Sequence, residues 1–263
     1  MFTLVSSGFF AYVPAMMIEL ADGTFEEVRA AFSAGPVVAL LPTGATEAHG
    51  PHLPLATDVI IAREAARRAV ARVEAGGGRA LVLPPLAYAV TDYAGGFAGT
   101  ISLPLETARL LVRDVIAGAA RTGFAGVVLC NAHLEPDNLR ALSEGLELAR
   151  AAGCKAAFPD VTRKPHALRL GEEFKSGACH AGRYETSLVL AAGAAIREAR
   201  AASLPANPSS LSRAIRDGKK TFVEAGGPEA YFGWPADATR EEGDRLYAEL
   251  ADIFASAALE LLR

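Results

Sequence analysis

Cysteine is scarce in this 263-residue chain: Cys130, Cys154 and Cys179 make an odd number, and no two stand as CxxC. That pattern fits reduced thiols in a cytoplasmic protein better than a disulfide framework. An excess of positive charge is missing too. Lysine and arginine number 26 against 30 acidic residues, a formal charge of -4, which leaves no basic footprint for nucleic acid. Long apolar runs are absent. The opening MFTLVSSGFFAYVPAMM is too short for a membrane span, lacks a basic n-region and is interrupted by Pro14. Residues 1–16 therefore read as a disordered or mis-assigned leader, with Met16 or Met17 as an alternative start, and no membrane partner is expected. There is no internal repeat, no low-complexity segment and no GxGxxG opening a helix after the first strand, which removes a nucleotide-binding Rossmann reading. With 51% apolar and 21% charged residues the composition is ordinary, and residues 1–263 read as a single domain.

What is present is alternation. Pro36 to Leu41 is a continuous apolar run that suits a strand buried on both faces. Gly44, Gly50, Pro51 and Pro54 then enforce a loop, and Asp58 to Ala75 repeats its apolar residues at helical spacing. The cycle recurs. A strand is expected over Ala80 to Leu83 and a helix from Leu105 to Thr122. A strand over Gly126 to Cys130, a helix from Asp137 to Ala152 and a strand over Ala156 to Pro159 come next. This order predicts an α/β fold, a mainly parallel sheet with helices on both faces. Beyond it, Thr162 to Gly177 is polar and basic, Arg183 to Ala192 is helical, 205 to 234 is loop-rich, and Thr239 to Leu262 closes the chain as an amphipathic helix.

Chemistry-bearing residues gather where buried strands end. The loop TGATEAHGPHLPLATD carries Glu47, His49, His52 and Asp58, two of only five histidines in the chain. Glu47 and His49 are two apart, so in an extended segment they point the same way. Asp58 stands at a helix start, where it reads either as an N-cap or as a metal carboxylate. The next loop, NAHLEPDN, offers His133 and Glu135 at the same spacing, with Pro136 at a plausible helix entry. Two imidazoles and three carboxylates exceed what one catalytic zinc uses. Mixed nitrogen and oxygen donors suit Zn²⁺ or Mn²⁺. A pair of cations sharing a carboxylate fits that number of donors, and such a pair can acidify a water. A third cluster, HAGRYETS, adds His180 as a candidate proton shuttle and Glu185 in the first turn of a helix, where its ordinary use is to face the helix dipole.

These three clusters resemble the creatininase (creatinine amidohydrolase) family. The chain reads Glu47-Ala-His49-Gly-Pro-His52-Leu-Pro-Leu-Ala-Thr-Asp58, then Asn131-Ala-His133-Leu-Glu135, then His180-Ala-Gly-Arg-Tyr-Glu185-Thr-Ser, with GTISL at 99 to 103 as a further family segment. The resemblance implies a three-layer αβα sandwich, a two-metal centre of zinc and/or manganese, and a homohexamer. It places Glu47, Asp58 and His133 on one metal and His49, Asp58 and Glu135 on the other, with Asp58 bridging. It gives His180 proton transfer and Glu185 a supporting role.

The expected activity is metal-dependent hydrolysis of a C–N bond other than a peptide bond, in a small cyclic amide or related compound. One departure from the family bears on substrate: Thr162 to Gly177 has no tryptophan and carries Arg163, Lys164, Arg169 and Lys175 instead. These read either as a solvated loop or, with Tyr93, as substrate contacts that clamp a phosphate or carboxylate. The second reading makes the protein a deformylase or cofactor-maturation hydrolase acting on an anionic substrate. A metal-binding protein without catalysis is the alternative from another class.

Overall fold

The structure, a computed structural model, describes residues 18–263; the leader expected at residues 1–16 lies outside them. In chain order the elements are α1 (Phe25–Ser33), β1 (Val38–Thr43), α2 (Thr57–Ala75), β2 (Ala80–Val82), α3 (Leu105–Thr122), β3 (Gly126–Asn131) and α4 (Pro136–Ala151). The second half holds β4 (Ala156–Ala157), α5 (Gly171–Ser176), α6 (Arg183–Ala191), α7 (Glu198–Ser203), α8 (Leu211–Arg216) and α9 (Arg240–Leu261). The strands form a parallel sheet in the order β2-β1-β3-β4.

Period-two alternation of the strands divides the core. Val38 and Leu40 of β1, with Val128 and Cys130 of β3, face a cluster built from α2, α6 and α9. Ala39 and Leu41, with Val127 and Leu129, face the opposite cluster, which α3 and α4 cover. Each strand is thus apolar on both faces, and a three-layer αβα arrangement buries both. A fully buried leucine or valine in such a layer is worth about 1.5–3 kcal/mol of transfer free energy.

Three departures from expectation have local causes. The last strand is two residues long, because Pro159 ends the run that seemed to extend β4. The loop-rich tail holds α8, whose Ser210 side chain accepts from Arg213 N–H as an N-cap. Ahead of β1, α1 is fixed by a capping box in which Thr24 and Glu27 satisfy each other's backbone N–H groups.

The sheet order sets the position of the crevice. From β1 the chain crosses to one neighbour, β2, and later returns on the other side as β3. The carboxyl ends of β1 and β3 therefore flank a topological switch point, where open α/β sheets bind their ligands.

Candidate metal centre

β1 and β3 end in register, with Thr43 opposite Asn131, and their side chains are joined by a 3.0 Å hydrogen bond from Thr43 Oγ1 to Asn131 Oδ1. The loop after β1 is clamped from outside. Ala48 N–H donates to Thr100 Oγ1 at 3.1 Å and Ile101 N–H to Thr46 O at 3.0 Å, which gives the GTISL segment its use. Gly44 is obligatory for closeness: a Cβ there would stand 2.7 Å from Asp58 Cβ and from Val59 N. The loop after β3 is shaped by Asn131 and Asn138, whose side-chain amides donate to His133 O at 2.7 and 2.9 Å.

Asp58 does not cap α2. The N-cap position belongs to Ala56, with no side-chain bond, and the Asp58 carboxylate turns inward instead. Its Oδ1 lies 3.1 Å from His49 Nε2, its Oδ2 lies 3.1 Å from His133 Nδ1, and Oδ2 also accepts Ala45 N–H at 3.2 Å. Glu47 Oε1 stands 3.4 Å from His133 Nδ1, and Glu185 Oε2 stands 3.3 Å from His49 Nε2. Two buried groups that could hold a metal ion result: Glu47, Asp58 and His133, and His49, Asp58 and Glu185. They share Asp58, one oxygen toward each. Among the described residues a further group combines Glu47, His49 and His180.

This grouping differs from the second set that the resemblance implied. Glu185 joins His49 and Asp58, whereas Glu135 enters none of the groups. Glu135 precedes α4 and lines the same cavity, and its carboxylate accepts the backbone N–H groups of Asp92 and Tyr93 at 3.0 and 3.3 Å. Glu185, in the first turn of α6, also accepts Ala181 N–H at 2.6 Å. That turn holds Ala181 at φ 49°, a left-handed conformation unusual for alanine, so the HAG segment is bent to reach the site.

The donor chemistry fits cations. His49 Nδ1 faces Glu47 O at 3.3 Å and His133 Nε2 faces Val90 O at 2.8 Å, so each ring turns its other nitrogen toward the carboxylates, where the lone pair could serve a cation held between them. His49 Nε2 is buried without a hydrogen-bond partner. Nitrogen-to-oxygen separations near 3.1–3.4 Å match donors about 2.1 Å from one tetrahedral ion. Thr91 Oγ1 donates to Glu47 and orients it. Electrostatics tell the same story. Burial opposes charge on His49, yet Asp58, Glu185 and Glu47 outweigh it and push its pKa up to about 10. Burial lifts Glu185 to about 8 and Glu135 to about 7, and burial followed by the His49 charge drops His180 to about 4.

A cavity of about 70 Å³ opens on this cluster, lined by Glu47, Asp58, His133, Glu135, Cys179, His180 and Glu185 and by the carbon surfaces of Tyr93, Ala132, Leu134, Leu211, Ile215 and Phe222. Four carboxylates face it and no lysine or arginine does. Such a charge imbalance in a buried site is costly unless cations offset it. Of the residues expected to touch substrate, Tyr93 is present. The basic segment is elsewhere. Arg169 pairs with Glu249 and Asp252 of α9, Lys175 with Glu172, and Arg163 with Asp160, while Lys164 lines a separate surface groove with His166. Acidic neighbours engage Arg163, Arg169 and Lys175, and none of the four cations lines the cavity, so a clamp built from them is not supported. Leu211, Ile215 and Phe222 were not legible as site residues, because they lie in the loop-rich tail and carry no polar signature.

An α/β sheet with a shared-carboxylate donor cluster at its switch point defines a class of metal-binding α/β proteins. Residues 21–258 match the family described as creatininase, creatinine amidohydrolase, and the chain belongs to that family. It is similar to the mycofactocin precursor peptide peptidase of Mycobacterium ulcerans (strain Agy99), 32% identical over 220 residues, 81% of each chain. It is also similar to the creatinine amidohydrolase of Pseudomonas putida, 33% identical over 190 residues, 64% of this chain and 69% of that one. Among solved structures, a mutant creatininase of Zn-Zn type aligns with a TM-score of 0.74 at 28% identity, covering 94% of this chain and 98% of that one. A manganese creatininase aligns at 0.71 and 27%, covering 93% and 98%. The fold is the creatininase fold.

Proposed function

We propose that this chain is a dinuclear metal-dependent hydrolase of amide C–N bonds. The observation that carries the reading is the division of Asp58 between two buried donor groups at the cavity floor. Glu47, Asp58 and His133 would hold one divalent cation and His49, Asp58 and Glu185 the other, zinc or manganese by the donor set. Bound there, the pair supplies an acidified water and polarises a carbonyl.

The remaining work falls to side chains. His180 Nε2 donates to Ala48 O at 3.0 Å, which leaves Nδ1 facing the site, 3.8 Å from Glu47 Oε1. That nitrogen moves a proton between the attacking water and the leaving nitrogen. Glu135 lines the same cavity and would be a second proton acceptor. Tyr93 and the apolar wall keep bulk water out. A cyclic amide or other small amide suits the size of the cavity. The likeness to a precursor peptide peptidase favours a second reading, cleavage of a peptide C–N bond near a chain end. We take the chain to act as one domain in the cytoplasm and to assemble as a homohexamer, which sedimentation of the purified protein tests.

The decisive experiment is elemental analysis of protein purified without chelator, followed by assays on creatinine, simple lactams and short peptides. Two metal equivalents and chelator-sensitive hydrolysis of any of these are expected. Absence of metal removes the foundation of the reading, and two metals with no hydrolysis favour the non-catalytic alternative.

A further inference from the structure

The cavity has a floor of carboxylates and imidazoles and a wall of hydrocarbon, and the wall comes largely from one late segment of the chain. Leu211 and Ile215 are four residues apart on α8, so they share one face of that helix and both line the cavity. Arg213 and Arg216 are exposed. Phe222 completes the wall, almost fully buried at 3% exposure.

The segment is anchored by main-chain contacts. Ser210 Oγ donates to Ser176 O at 2.7 Å and Ser212 N–H to Gly177 O at 3.2 Å. Gly177 cannot carry a side chain, since a Cβ there would overlap Ser212. Across the cavity Tyr93 grips the same segment twice: its hydroxyl donates to Lys219 O at 2.8 Å, and its carbonyl accepts Phe222 N–H at 3.0 Å. The Phe222 ring stacks on His180 with centroids 4.3 Å apart, and His49 flanks the same imidazole, also at 4.3 Å. The wall therefore touches the proton-handling residue directly and is held without needing a ligand.

We infer that Leu211, Ile215 and Phe222 form a preformed recognition wall that selects a substrate with a small apolar group next to the scissile amide. The inference rests on the proposed reading of the floor as a metal centre. Three features fix the chemical class. The wall offers carbon only. No cationic side chain lines the cavity to receive a carboxylate or phosphate. The volume of about 70 Å³ has room for roughly five to seven waters, and so for a group of isobutyl size beside the amide.

The test is binding to the metal-loaded protein, measured by calorimetry with three hydroxamates that present one chelating head and different tails. These are acetohydroxamate, isovalerohydroxamate and succinomonohydroxamate. Isovalerohydroxamate is expected to bind at least about tenfold more tightly than acetohydroxamate, because three more carbons are buried. Succinomonohydroxamate should bind more weakly than either. Ile215→Lys should reverse the preference toward the succinyl tail, and Leu211→Ala should reduce the isovaleryl advantage severalfold. Arg213→Ala should leave all three unchanged. Phe222→Leu checks the stacking: metal content stays at wild type while the isovaleryl advantage falls, and Phe222→Tyr restores it. Equal binding of the three tails overturns the proposal, as does failure of any hydroxamate to bind protein carrying two metals. Metal content, measured first on each variant, reports on the metal-centre reading alone and separates its failure from that of the wall.

Discussion

A carboxylate that faces two imidazoles, one through each oxygen, has no substitute nearby. Asp58→Ala is therefore expected to empty both cation positions, whereas Glu47→Ala mainly weakens one; elemental analysis of the two variants separates the cases. Equal metal content in Asp58→Ala and wild type would sink the shared-carboxylate assignment. Thr91 supplies a subtler check, since its hydroxyl only orients Glu47. Thr91→Val should keep the fold but weaken metal affinity by about 10–100-fold in a competition titration. His180→Ala should retain metal and lower kcat by about 10²–10⁴-fold on the substrate the panel identifies. Loss of metal instead would make His180 a ligand. Glu47, His49 and His133 were legible because each sits just beyond a buried strand, and Asp58 because it stands at the helix start that closes the same loop. That Glu185 rather than Glu135 stands in the group with His49 and Asp58 was not legible. It depends on which carboxylate the backbone amides of Asp92 and Tyr93 claim, and those amides have no identity in the sequence.

Between elements, packing decides what a glycine is for. In the α3–α4 layer, a Cβ at Gly145 would lie 2.9 Å from Val112 Cβ, so Gly145→Val should overpack the contact and cost about 1–3 kcal/mol. At Gly118 on the facing helix the nearest atom is the mobile Arg121 guanidinium at 3.7 Å. Gly118→Ala should stabilise by about 0.4–1 kcal/mol through the unfolded chain. Urea unfolding of both variants is the measurement, and shifts of the same sign would contradict the packing argument. The long elements declared themselves: the apolar runs of β1 and β3 and the 3.6-residue rhythm of α2, α3, α4 and α9 leave little choice. The short helices did not, since α8 depends on a serine cap and on a neighbouring glycine rather than on its own periodicity.

For the whole molecule, stability should depend on acid and on metal. His52 is fully buried, bonded through Nε2 to Thr186 Oγ1 at 2.9 Å, and burial lowers its pKa to about 4. An unfolded histidine titrates near about 6.5, so the unfolded state binds the extra proton first as pH falls. The contribution is present above about pH 6.5 and disappears between there and about 4, at most about 3 kcal/mol. Melting temperatures across that range should fall, and a His52→Gln variant should fall less. Removing metal with a chelator should also lower the melting temperature, with recovery on adding zinc or manganese. Ligand at one hundred times its Kd is worth about 2.7 kcal/mol. The donors come from positions 47, 49, 58, 133 and 185, spread across most of the chain. During synthesis the first group can close once His133 has left the ribosome, but the second waits for Glu185. With the centre as proposed, a growing chain could not complete the second group until the HAG segment had emerged, and a cation at His49 would be drawn from the metal pool around a chain whose sheet is already made.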